Sequence, residues 1–306
     1  MEWFILPLII LVAALGAIAT FIDNFVSDVY FRGRRPEAQK IFGLFGYSVM
    51  LIFCLIVAPL ATLDSSTITF LLLSGVIHAL GSIFYYRSFK SEEATGITIL
   101  AQLSPILALI SSFFILGDQI AIPQLAAFAL LIVAALLIIF SRGKGRLKTQ
   151  LRATLLTIAA ITFWVSANTL FTLSSDQSSF TTNLFYFILG KLATDLTLTL
   201  IFKSWRTRVK NVFREFRGKL LRTSLIREII HPVSEIVWRF ILLSAPFAIA
   251  YAVESTSKLI ITFILGLTLS IVWPRFGRER LAKRTILHHL IALSLAVIAI
   301  LIIQFA

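Results

Sequence analysis

Long apolar runs alternate along the chain with short polar stretches, every second one of them rich in arginine and lysine. A bilayer core needs about 20 apolar residues per helix, and ten runs of that kind are predicted near 3–22, 41–61, 67–87, 95–116, 123–141, 152–173, 182–202, 233–253, 257–274 and 286–304. The connections between them are mostly short, which makes neighbouring helices antiparallel and packs them as one bundle. The pattern predicts an all-α integral membrane protein with ten transmembrane helices. Connection seven is the long one. Residues 203–230 carry Val209, Phe213, Phe216 and Leu220 at helical spacing with Arg and Lys between them, which reads as a basic amphipathic helix on the inner leaflet that anchors to membrane lipids, anionic ones included.

The basic residues assign the two sides. Connection one holds Arg32, Arg34, Arg35 and Lys40, connection three Arg87 and Lys90, and connection five Arg142, Lys144, Arg146 and Lys148. Connection seven holds the run from Lys203 to Arg227, and connection nine Arg275, Arg278, Arg280, Lys283 and Arg284. Even-numbered connections carry Lys258 alone. Odd connections are therefore expected in the cytoplasm and both termini outside, in the cell membrane. The chain also divides into halves of five helices, 1–150 and 151–306. An odd number of helices per half requires the second copy to enter the membrane inverted, as in carriers that alternate access to a central site. An offset of 161 places Glu93-Ala94-Thr95 on Glu254-Ser255-Thr256 and Asp118 on Glu279.

Composition narrows the function classes. With 306 residues, 58% of them apolar, and a mean hydropathy of +0.93, the chain has too little polar surface for a soluble domain. The net charge of +13 sits between apolar runs, where it reports orientation, so no nucleic-acid partner is expected. The one cysteine, Cys54, excludes an internal disulfide and a cysteine-based metal site. No basic region precedes the first apolar run, so no separate signal peptide is expected. No glycine-rich phosphate loop, zinc-protease histidine pair or Gly-x-Ser-x-Gly elbow occurs, and His288 and His289, being adjacent, point about 100° apart on a helix. No cofactor, metal or catalytic residue is expected, and the chain is not read as an enzyme.

The stretch from Tyr85 to Ala126 is the most informative. Tyr86-Arg87 closes one helix, Glu93-Ala94 forms a turn, Ser104-Pro105 lies mid-span in the next helix, and Leu116-Gly117-Asp118 forms the following loop. In that order these pieces resemble the signature region of the drug/metabolite transporter superfamily, in particular its ten-helix EamA-like carriers. The resemblance implies a central cavity between the two halves, lined by helices one, three, four, six, eight and nine, and export of amino acids or related metabolites. Outside termini depart from the family's commoner orientation, so the direction of transport is not carried over.

Charged groups inside apolar runs mark candidate sites, because each costs about 2.5–3.5 kcal/mol at a helix centre. Arg239 falls opposite His78 under the repeat offset. Two readings stand: a cationic clamp for a carboxylate or phosphate, or an internal pair of Arg239 with Glu235 four residues earlier. His78 is likewise a ligand contact or a hydrogen-bonded interior histidine. Lys191 and Asp195 repeat the four-residue spacing, as an internal pair or, with Glu235, as candidates for proton coupling. Asn24, Gln102 and Asn168 line the cavity or join helices. Trp164 and Tyr86, with Tyr85, Phe163 and Tyr251, stack on a substrate or pack the bundle. Asp23 and Asp28 lie near the inner interface and carry little weight. Pro105 and Pro246 interrupt helices four and eight, as hinges or tolerated kinks.

The reading is a secondary transporter that moves a small metabolite, an amino acid or organic acid, across the cytoplasmic membrane by alternating access, as an exporter. A lipid-binding or lipid-flipping membrane protein is the alternative. The sequence leaves the oligomeric state open.

Overall fold

The computed structural model describes residues 4–31, 36–57, 62–90, 97–98, 100–117, 121–140, 147–175, 179–272 and 283–305. Helix is the only regular secondary structure among them. The helices are α1 (Ile5–Val29), α2 (Lys40–Val57), α3 (Ser65–Ser88), α4 (Ser104–Ser111), α5 (Ile122–Phe140), α6 (Leu147–Ser174), α7 (Phe180–Ile201), α8 (Lys203–Ser244), α9 (Phe247–Val272) and α10 (Lys283–Phe305). Among the described residues six stretches are long and apolar enough to cross a bilayer: Ile5–Val29, Glu37–Val57, Ser65–Ser88, Leu151–Ser174, Phe180–Ile201 and Phe247–Val272. Ala101–Leu116 and Leu290–Ala299 are shorter apolar helical segments.

Local chemistry explains where helices start and stop. Asp64 caps α3: its carboxylate accepts from the Thr67 amide at 2.9 Å, from Thr67 Oγ1 at 2.6 Å and from Ser66 Oγ. Ser179 caps α7 through the Thr182 amide at 3.3 Å. Pro105 sits in the first turn of α4, directly after a 3-10 turn at Ala101–Leu103, where its missing N–H is no loss. A π-helical turn, Ser112–Leu116, follows α4 and ends at Gly117, whose φ of 78° is the left-handed conformation glycine adopts most readily.

Three sequence expectations change here. First, residues 203–230 are not a separate helix. They form the first part of the 42-residue α8, about 63 Å long at 1.5 Å per residue, with Pro232 inside it. Val212, Leu220 and Trp205 are buried with Ile22, Val26, Tyr30 and Phe31 at the end of α1, so this apolar side rests on protein. Second, Pro246 does not interrupt a helix. Ala245 before it is extended (φ −140°, ψ 153°), as the ring of a following proline demands, and α8 ends there. Third, Glu254-Ser255-Thr256 lies within α9 and forms no turn, so the offset of 161 does not match turn to turn. Polar residues that read as a connection instead face an internal cavity. Glu93, Ala94, Asp118, Arg142, Arg278 and Glu279 lie outside the described residues.

The helices pair in a regular way. α3 packs on α6 and α7, while α8 packs on α1 and α2. α1 meets α9 and α4 meets α6; α2 joins α7, α4 joins α9 and α5 joins α10. The α3–α7 crossing brings backbones into contact. A Cβ on Gly75 would stand 2.1 Å from the Phe187 carbonyl oxygen, and one on Gly190 would stand 2.2 Å from that of Leu72. Outward faces are apolar, as with Phe45, Val49, Ile52 and Phe53 on α2, whereas His78, Asn183, Lys191 and Arg239 are buried inside.

Candidate binding site

A cavity of about 190 Å³ lies at the centre of the bundle. Val12, Gly16, Thr20 and Asp23 line it from α1, and His78, Ser82, Tyr85 and Tyr86 from α3. Gln102 and Ser104 enter from the start of α4, and Trp164 and Asn168 from α6. Arg227, His231, Ser234, Glu235 and Trp238 come from α8, and Tyr251, Glu254, Ser255 and Lys258 from α9.

The wall behind one side is a knot of charge around Glu235. Lys191 Nζ reaches Glu235 Oε2 at 3.0 Å, and Arg239 Nε and Nη2 reach Oε1 at 3.2 and 3.0 Å. His78 Nε2 lies 3.6 Å from Oε1, and His231 Nε2 lies 3.7 Å from Oε2. Aromatic faces complete the cations' surroundings: the Arg239 guanidinium sits 3.7 Å from the Phe187 ring centre and 4.8 Å from that of Phe171, and Lys191 Nζ sits 4.4 Å above Tyr47. His78 stacks on Trp164, and the indole Nε1 donates to the His78 carbonyl at 3.2 Å. Two cationic side chains therefore share one carboxylate, and the α3–α7 backbone contact is what brings Lys191 level with His78.

A second knot lies at Arg227. Its Nε donates to Asp23 Oδ1 at 3.1 Å, its Nη1 to Glu228 Oε1 at 2.8 Å and its Nη2 to the Tyr86 hydroxyl at 2.6 Å. Here two carboxylates share one cation, the reverse of the first knot. Between α4 and α9, Gln102 Nε2 donates to the Ser255 carbonyl at 2.7 Å, and the Ser104 and Ser255 hydroxyls stand 2.9 Å apart.

Several expected site residues thus come together and others do not. His78, Gln102, Asn168, Trp164, Tyr86 and Glu235 line the cavity. Arg239 is fully buried behind it, bound to Glu235, which is the internal-pair arrangement. Lys191 does not pair with Asp195. It bonds Glu235, while Asp195 takes Lys40 at 2.8 Å, and Lys40 is a buried residue, not a loop charge. Asn24 is half-buried on α1 and its neighbour Asp23 reaches the cavity instead.

Sequence reasoning passed over Arg227, Glu254 and Lys258, having assigned them to connections; their four-residue spacing, Glu254 to Lys258 and Arg227 to His231 to Glu235, was the available signal. Two buried side-chain atoms on the cavity wall, His78 Nδ1 and Asn168 Oδ1, have no hydrogen-bond partner among the described residues. Glu254 has no ion pair within 4.0 Å there, only a 3.5 Å contact from its neighbour Ser255 Oγ.

A solved crystal structure superposes on 99% of this chain and 96% of its own with a TM-score of 0.65 at 15% identity, a likeness of fold. No curated protein matches the chain. The model of the EamA-like transporter family matches residues 5–140, from α1 through α5. The protein is thus a multi-pass membrane protein whose segment 5–140 carries the pattern of the EamA-like transporter family, in agreement with the resemblance to the drug/metabolite transporter superfamily read from residues 85–126.

Proposed function

We propose that the chain is a secondary transporter that binds a small metabolite bearing both an amine and a carboxylate in the central cavity, and exports it by alternating access. The single observation that carries the reading is a cavity lined from six helices by both signs of charge, Glu235, Asp23, Glu254, Arg227 and Lys258, with an excess of cation (Lys191 and Arg239) behind Glu235 and a further carboxylate (Glu228) behind Arg227. A zwitterion complements such a wall where a plain anion does not. His78 Nδ1 and Asn168 Oδ1 supply open hydrogen-bonding positions. Glu254, a cavity carboxylate with no ion pair within 4.0 Å among the described residues, receives the amine or a coupling proton. Asp195 and Glu235 are held by cations, so they are structural in this reading.

A regularity of packing supports the alternating-access reading. Several of the main helix contacts have a counterpart shifted by five: α3–α6 with α8–α1, α3–α7 with α8–α2, and α1–α9 with α6–α4, while α2–α7, α4–α9 and α5–α10 map onto themselves. Two inverted five-helix halves related by a two-fold axis in the membrane plane produce that pattern. Pro246, between α8 and α9, and Pro105, where a 3-10 turn meets α4, are the hinges. The odd-numbered connections face the cytoplasm in this arrangement.

The test compares amino acids and organic acids in the medium of cells making the parent chain and cells making Glu254→Gln at matched membrane levels. An amine-bearing acid enriched outside by the parent and lost in the variant is expected. Equal profiles in both, and in cells without the protein, would overturn the exporter reading.

A further inference from the structure

An open groove of about 570 Å³ runs along the first part of α8, away from the central cavity. Its floor is apolar: Ile41 of α2, with Val209 and Phe213 of α8, which also pack on the core formed with α1. Its rim is cationic. Arg206, Lys210 and Arg214 follow one another at four-residue intervals, on one side of the helix, and all three are exposed. Among the described residues no acidic side chain lines the groove and no carboxylate lies within 4.0 Å of any of the three. Arg206 Nη1 bonds the Thr199 carbonyl at 3.1 Å and that of Leu200, which fixes the rim to the end of α7.

The surface continues from this groove in one direction. Ile41, Phe45 and Val49 lie on one face of α2 by their four-residue spacing, and Phe45 and Val49 are 55% and 51% exposed. Leu196 and Leu200 on α7 are likewise exposed, at 48% and 61%. The charged rim therefore stands at the head of two apolar strips that face the hydrocarbon. A soluble anion would use the rim and leave the floor bare. A neutral lipid would use the floor and leave three cations without an anion.

We infer that the groove between α2, α7 and the first part of α8 binds one anionic phospholipid, its headgroup phosphate against Arg206, Lys210 and Arg214 and an acyl chain along Ile41, Val209 and Phe213. The lipid bridges α2 and α7, which pack on each other, to the helix that carries Glu235. The inference is independent of the transport reading, because it concerns an outer surface and needs no substrate.

Native mass spectrometry of the full-length protein in mild detergent, with phosphatidylglycerol or phosphatidylcholine added, tests it. Each surface cation contributes about 1 kcal/mol toward anionic lipid before screening, so phosphatidylglycerol is expected to bind roughly tenfold or more tighter. In the variant Arg206→Gln/Lys210→Gln/Arg214→Gln the preference should shrink to within about twofold, while Lys203→Gln/Arg222→Gln, on exposed cations of the same helix outside the groove, keeps it. If Arg206→Gln unfolds the end of α7, the pair Lys210→Gln/Arg214→Gln gives the same reading with a partial loss. No preference in the parent, an undiminished preference in the groove variants, or equal competition by soluble glycerol 1-phosphate each overturns the site; the last outcome would make it a plain phosphate site.

Discussion

At Glu235, two cationic side chains, Lys191 and Arg239, converge on one buried carboxylate. Removing the carboxylate by Glu235→Gln leaves Lys191 and Arg239 facing each other, and breaking such a buried pair costs about 3–5 kcal/mol. The expected result is a sharp fall in thermal stability in detergent, measured by loss of monodisperse protein on heating. Glu254→Gln, which breaks no ion pair, is expected to leave that stability near the parent value. A melting profile for Glu235→Gln equal to that of Glu254→Gln would remove the knot from its structural role. Outside the spans, the hydrogen bonds from Ser66 and Thr67 hold the Asp64 carboxyl below the usual carboxylate range. A carboxyl depressed in the folded state stabilises it above the ordinary value and loses that contribution only as pH falls through the lowered one. Asp64→Ala is therefore expected to speed amide exchange in the first turn of α3 at pH 7, and the parent's protection there should persist through mildly acidic pH. Unchanged exchange in the variant would count against the cap.

At the scale of elements, glycines at one crossing decide whether the knot can form. Gly190→Ala places a methyl carbon where the Leu72 carbonyl already stands, so α3 and α7 must separate and Lys191 must leave Glu235. Destabilisation by several kcal/mol is expected, in the range of overpacked or broken buried sites. Gly218, in the exposed first part of α8, has nothing within 4 Å of an added Cβ. Gly218→Ala should stabilise by roughly 0.5–1 kcal/mol through helix propensity alone. Equal effects of the two substitutions on the unfolding midpoint would show that the crossing is looser than described. The same contrast explains α8 itself. Its basic and apolar alternation read as a surface helix, yet Trp205, Val212 and Leu220 are covered by the end of α1, and the exposed basic side is what remains for lipid.

At the scale of the whole molecule, the alternation of basic connections yields a sidedness that labelling can test. Cys54 is buried, so Cys54→Ser gives a background without cysteine. Asp64→Cys, between α2 and α3, is expected to react with an impermeant maleimide in intact cells, and Lys203→Cys only after lysis. The reverse pattern would invert the bundle and, with it, the direction proposed for transport. Several helix contacts, α3–α6 and α8–α1 among them, recur with a shift of five although the sequences there barely align, because packing tolerates exchange of one apolar side chain for another while helix positions hold.

The sequence by itself determined the membrane class, most helix positions and the family pattern around Ser104-Pro105 and Gly117, because apolar runs and proline or glycine punctuation act over a few residues. It also singled out His78, Gln102, Trp164, Asn168 and Glu235, since a polar group within an apolar run needs a reason. It misplaced the α8–α9 junction and passed over Arg227, Glu254 and Lys258, because a polar residue facing an internal cavity has the same local pattern as one in a loop. Only the tertiary structure decided the partners. Lys191 bonds Glu235 rather than Asp195, and Asp195 bonds Lys40, because the charge that satisfies a buried group comes from whichever helix packs beside it, and helix neighbours are set by contacts far apart in the chain.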